Sequence, residues 1–191
     1  MTETYTAFEK HDLLIQGPLE DVVRKVRLKS KSDPGAPILV FSDSTGKQMD
    51  FDLSGTERDV LRRLQVYRAP AASEATAPAG PGRPRLGVVA REVSLLPQHW
   101  EWLSTQPGGA SAALRRLVEI ARKGASGRDL VRQAQDRTYK VMSAIAGNLP
   151  QYEEALRALY AKDRRKFGER LADWPRSLRE HLKALAAPAF E

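Results

Sequence analysis

The amino-acid sequence predicts an α+β protein in four parts: an N-terminal ββαββα unit (1–68), a linker (69–85), a strand–helix–helix segment (86–125) and an all-helical C-terminal region (126–191). Three observations predict this. Through the first seventy residues, short apolar or alternating stretches are interspersed with two helix-like segments. Residues 69–82, APAASEATAPAGPG, carry almost no large apolar side chain. From residue 127 onward the apolar spacing is helical throughout.

Within the N-terminal unit, Tyr5–Phe8 and Leu13–Ile15 read as two strands around the turn Lys10-His11-Asp12. Pro18 suits the first turn of a helix, and Leu19, Val22, Val23 and Val26 repeat at i, i+3, i+4, i+7 to give that helix one apolar face. Asp33-Pro34-Gly35 ends it. PILVFSD reads as a buried strand, STGK as a turn, and QMDFDL as a half-exposed strand with Met49, Phe51 and Leu53 on one side. Ser54 and Glu57 have capping-box spacing before a helix that buries Val60, Leu61 and Leu64. This unit is expected to fold by itself. The linker cannot bury enough surface to offset its ordering entropy and is expected to be flexible.

Past the linker, Val93 and Leu95 alternate with Glu92 and Ser94 as in a strand. Leu96-Pro97 starts a helix with Trp100 and Leu103 on one side, Pro107-Gly108-Gly109 breaks it, and Ser111 begins a second whose face is Leu114, Leu117, Val118 and Ala121. Three such short elements are too thin to make a core of their own, and pairing with a second copy is the simplest remedy. In the C-terminal region one helix carries Leu130, Ala134, Val141, Met142 and Ile145 and is closed by Gly147–Pro150. A second carries Tyr152, Ala155, Leu156 and Leu159. A third, capped by Asp163, carries Phe167, Leu171 and Trp174. A fourth, opened by Pro175, carries Leu178, Leu182 and Leu185.

Composition narrows the function classes. The chain has no Cys, which excludes disulfides, thiol catalysis and Cys-based zinc sites. No apolar run approaches the ~18 residues that a membrane span needs, and no secretion-type segment opens the chain, so a cytoplasmic protein is expected. The net charge of +7 is unevenly placed. Residues 1–70 have 11 Lys/Arg against 11 Asp/Glu, residues 71–127 have 7 against 4, and residues 128–191 have 13 against 9. A neutral front and a basic remainder suit nucleic acid or another anionic surface, or simply a solvated Arg-rich surface.

VSLLPQHWEWLSTQPGGASAALRRLVEIARK resembles the ribbon-helix-helix unit of small bacterial repressors. The resemblance implies a homodimer that pairs two strands into a ribbon in the DNA major groove. Val93, Leu95, Trp100, Leu114, Leu117 and Val118 would form the dimer interface. Ala90, Glu92 and Ser94 would face the groove, and Gly109, Ala110 and Ser111 would offer backbone donors to a DNA phosphate. Glu92 departs from the pattern because groove-facing positions are usually basic or amide-bearing. A bulge would exchange it with Arg91; otherwise the unit serves dimerisation alone and the protein is an interaction adaptor. Gly82-Arg83-Pro84-Arg85 resembles the core of an AT-hook, in which Arg83 and Arg85 would enter a narrow minor groove; the alternative is a basic linker end that meets an acidic surface. Over TYTAFE, PILVFSDSTG, GRPRLGVVAREVSLLPQHWEWL and MSAIAGNLPQYEEALRALYAKDRRKF the chain also resembles an uncharacterised bacterial family, domain of unknown function 2239, which implies no activity.

The expected partners are therefore DNA, a second copy of the chain, and an unidentified protein or ligand for the N-terminal unit, with no membrane. No cofactor, metal or catalytic residue is expected. Ser44–Lys47 reads as a hairpin turn rather than a Ser-x-x-Lys site, Asp50 and Asp52 as a solvated face, His11, His99 and His181 as unrelated, and Arg164–Lys166 as a solvated helix face that could touch phosphate.

Overall fold

The computed structural model describes residues 3–68 and 91–191. It is a mixed α+β protein, and contacts divide it into two compact units, Met1–Arg68 with Gly127–Glu191, and Ala69–Ser126. Arg83, Arg85 and Ala90 lie outside the described residues.

The first unit is built on a four-stranded antiparallel sheet in the order β2-β1-β3-β4. Its strands are β1 (Tyr5–Glu9), β2 (Asp12–Gly17), β3 (Ile38–Ser42) and β4 (Gln48–Met49). β1 is central, and its side chains alternate between two cores. Tyr5 and Ala7, with Val40 of β3, pack against Val22, Val23 and Val26 of α1 (Leu19–Ser32) and Val60 of α2 (Glu57–Arg63). Phe8 and Phe41 point the other way, into a larger core with the C-terminal helices. Those helices are the far end of α5 (Gly109–Ile145), α6 (Tyr152–Tyr160), α7 (Arg164–Arg170) and α8 (Arg176–Ala186), followed by a 3₁₀ turn, Ala187–Phe190. The sequence draws a boundary between the N-terminal unit and the C-terminal helices. In the structure the two halves share the Phe8–Phe41 face, because β1 is buried on both sides and one helical layer cannot cover both.

Local chemistry explains where elements start and stop. α1 begins after Pro18, with Glu20 and Asp21 in its first turn and Lys29 and Lys31 in its last, each sign favourable to the helix dipole. The capping box before α2 is Thr56 with Asp59, not Ser54 with Glu57: Thr56 Oγ1 accepts from Asp59 N, and Asp59 Oδ2 accepts from Thr56 N. Gly55, at φ +82°, turns the chain one residue after Ser54 and so moves the helix start on. β4 stops after Met49 instead of running to Leu53. The following backbone bonds to side chains in place of a ladder, with Ser54 N donating to Asp52 Oδ1 and Arg63 donating to the Asp52 carbonyl. Phe51 and Leu53 still rest on the α1–α2 core, so the alternation is real and the ladder is not.

α6, α7 and α8 follow the sequence pattern closely. Asp163 caps α7 by accepting from Lys166 N, Pro175 precedes α8, and the Trp174 indole donates to the Pro150 carbonyl at 2.8 Å. α5 differs: it is one helix of 37 residues rather than two. Gly124 and Gly127 each cost about 1 kcal/mol relative to alanine, which is too little to end a helix that has no proline or cap between Gly109 and Ile145. Leu130, expected on the buried face, is 57% exposed, while Ala134, Thr138, Val141, Met142 and Ile145 make the actual contact stripe. Among the described residues no helix is long and apolar enough to cross a membrane.

A polar knot closes one end of the sheet. The Asp43 carboxylate, just past β3, accepts from Thr4 Oγ1 (2.7 Å), Thr6 Oγ1 (2.6 Å) and Gln16 Nε2 (2.9 Å). His181 of α8 is buried 3.9 Å away, with its ring edge-on to Phe8 and its Nε2 without a hydrogen-bond partner. Arg137 of α5 donates twice to the Leu185 carbonyl; burial pushes its guanidinium below the ordinary value, while Asp43 acts in the opposite sense.

Candidate self-association and DNA-contact surface

The second unit contains α4 (Pro97–Ser104) and the first part of α5. Leu96 is the extended residue that opens α4, and Pro97 fills the first helical position, where a missing N–H costs nothing. Gly108 and Gly109, at φ +81° and +74°, reverse the chain between the helices. That conformation needs glycine, as PGG in the sequence predicts.

Two helices of this size bury little. Among the described residues of this unit, Leu103 and Ala113 are the buried hydrophobic side chains. Val93, Leu96, Trp100, Trp102, Leu117, Val118 and Ile120 are all exposed, Val118 and Ile120 at 63% and 62%. An apolar groove of about 270 Å³ opens between Leu95, His99, Trp102, Leu103, Leu114 and Leu117.

The early turns of α5 are sharply divided. At about 100° per residue, Ala113, Leu114, Leu117, Val118, Ile120 and Ala121 lie within an arc of about 160°. Arg115, Arg116, Glu119, Arg122 and Lys123 occupy the opposite side. Glu119 pairs with Arg122 at 2.8 Å and with Lys123 at 3.8 Å. The Arg122 hydrogen bond, more than its charge, holds the Glu119 carboxyl below the usual range. Four cations against one carboxylate leave this face basic.

The sequence-predicted positions fall as follows. Arg91, Glu92, Val93 and Ser94 are exposed and Leu95 is half-buried. The strand expected there is not formed in residues 91–96, where the backbone has no ladder partner among the described residues. Gly109 opens α5, Ala110 is half-buried, and the Ser111 hydroxyl accepts from Arg115 Nη1 at 3.1 Å. Trp100, Leu114, Leu117 and Val118 lie on the surfaces of the two helices, Leu114 half-buried and the others exposed. The sequence reading missed Ile120 and the basic arc. Both were present as i, i+3, i+4 spacing, with RR and RK interleaved between the apolar positions. Among the described residues no group of three or more His, Asp or Glu could hold a metal.

No curated protein and no solved structure matches the chain. A family model does, from residue 4 to residue 186, and that span takes in both units: the chain belongs to the family described as an uncharacterized protein conserved in bacteria (DUF2239).

Proposed function

We propose that the chain is a homodimeric DNA-binding protein of the cytoplasm, a regulator or chromosome-associated factor rather than an enzyme. One observation carries the reading: the early turns of α5 are apolar on one side and basic on the other, and most side chains of both sides, Leu117, Val118 and Ile120 among them, are exposed. The apolar arc, with Val93, Leu96 and the tryptophans of α4, is suited to a second copy that buries the same surface. The basic arc, with Arg91, is suited to phosphates, as are the backbone donors of Gly109–Ser111 and, from the sequence alone, the hook-like Arg83 and Arg85.

Light scattering at tens of micromolar, followed by electrophoretic shift at several salt concentrations, tests the proposal. A dimer whose DNA affinity falls steeply with salt supports it; a clean monomer rejects it. Glu92, exposed next to Arg91, favours a second reading, an adaptor that dimerises through this unit and recognises a protein through the N-terminal sheet. A dimer with no DNA affinity at low salt selects the adaptor.

A further inference from the structure

The other unit carries a cationic groove that the dimer reading does not use. It lies between α7 and α8, encloses about 340 Å³, and is lined by Arg164, Arg165, Phe167, Gly168, Lys183 and Phe190. Phe167 and Phe190 pack with their rings 5.6 Å apart. Arg165 is paired with Glu169 at 3.0 Å. Arg164 and Lys183, both exposed, make no ion pair or hydrogen bond among the described residues. Two uncompensated cations on opposite walls of one groove repel each other, and an anion between them removes that repulsion.

Gly168 supplies the second observation. It sits inside α7, where glycine weakens the helix relative to alanine. Packing does not demand it, because a Cβ built there would meet only Lys183 Cε, at 3.9 Å. Gly168 leaves bare helix backbone in the groove beside the Lys183 stem. Arg165 and Arg164 add planar guanidinium donors, which match the oxygens of a tetrahedral anion, and Lys183 adds a mobile point charge.

We infer that the α7–α8 groove is a phosphate-binding site, with Arg164 and Lys183 as its principal cations. The phosphate belongs either to a nucleic-acid backbone or to a free polyphosphate; the first source rests on the DNA reading above, and the second is independent of it.

The test uses the full chain and the double variant Arg164→Gln/Lys183→Gln. Both side chains are exposed, so the fold should survive, as circular dichroism and the melting temperature will show. Lys25→Gln/Lys31→Gln on α1 is the control with the same change of charge. Inorganic pyrophosphate should shift the Gly168 amide resonance in the wild type and the control, and shift it at least tenfold more weakly in the double variant. If the source is nucleic acid, the slope of log affinity against log salt also falls by roughly two in the double variant and not in the control. A pyrophosphate response with an unchanged DNA slope, or with no DNA binding at all, assigns the groove to free polyphosphate; in the latter case the DNA reading falls while the site stands. No Gly168 shift together with an unchanged slope overturns the inference and leaves the DNA reading intact.

Discussion

Two residues of the sheet unit carry consequences out of proportion to their size. Gly46, in the turn between β3 and β4, has φ +66°, and a Cβ built there would come within 2.3 Å of the Arg137 carbonyl oxygen on α5. The turn is pressed against helix backbone, which cannot swing aside as a side chain can. Gly46→Ala should therefore cost roughly 2–4 kcal/mol, from strained φ and displaced backbone together, and lower the urea midpoint accordingly. A variant within about 0.5 kcal/mol of wild type would show that the turn is not so tightly held. His181 sets a pH dependence. Burial pushes its imidazole below the ordinary histidine value, and Asp43, the anion facing it, opposes this without overcoming it. The unfolded chain thus takes up the proton first, near pH 6.5. The associated stability is whole above that pH and is lost as pH falls through the lower folded value. Between pH 7.5 and pH 5 the wild type should lose stability, and His181→Phe, although less stable at pH 7.5 for want of fit, should show a flatter profile. An equally steep profile in the variant would assign the effect to other groups.

At the scale of elements, short-range chemistry was legible in the sequence and long-range cover was not. The last three helices, α6 to α8, appear with their apolar faces as read, because Asp163, Pro175 and the 3.6-residue repeat are local signals. The strand pair around Lys10 does too, since Lys10 adopts the positive φ the turn requires. β4 and the capping box shifted because a glycine and a few side-chain hydrogen bonds outweighed the alternation. The two-sided burial of β1 was readable only in part. In YTAFE the two aromatics, Tyr5 and Phe8, are three residues apart and so fall on opposite faces of a strand, but periodicity does not say what covers the second. That cover comes from helices more than a hundred residues away, and it reverses the expectation for the isolated sheet. A fragment of residues 1–68 leaves Phe8 and Phe41 bare, and fully burying such a side chain is worth about 1.5–3 kcal/mol. The fragment should show no cooperative melt, whereas the full chain should melt cooperatively. In the full chain Phe8→Ala should cost about 3–5 kcal/mol. A sharp transition in the fragment would mean that α1 and α2 alone stabilise the sheet.

For the whole molecule, the candidate surface was legible as composition and spacing: PGG, the tryptophans, and cations threaded between leucines. What spacing could not supply was exposure, and exposure is what distinguishes an apolar stripe that fills a core from one that awaits a partner. The proposed division of labour between the two arcs of α5 is open to a paired experiment. Leu117→Asp puts an unpaired carboxylate into the apolar arc, at a cost of order 3 kcal/mol if a second copy buries it, and should shift the protein to monomer. DNA affinity should fall with it, because one chain offers half the phosphate contacts. Arg115→Gln/Arg116→Gln leaves the apolar arc untouched, so the dimer should persist while the salt slope drops by roughly two per chain. Replacing Arg83 and Arg85 with Ala should act differently again, weakening A·T-rich duplex more than G·C-rich duplex, since a narrow minor groove concentrates negative potential where the hook would lie. If Leu117→Asp remains dimeric, the self-association surface lies elsewhere. If the arginine pair on α5 leaves the slope unchanged while the hook pair lowers it, DNA is held by the linker end alone, and the amphipathic helix serves only to bring two hooks together.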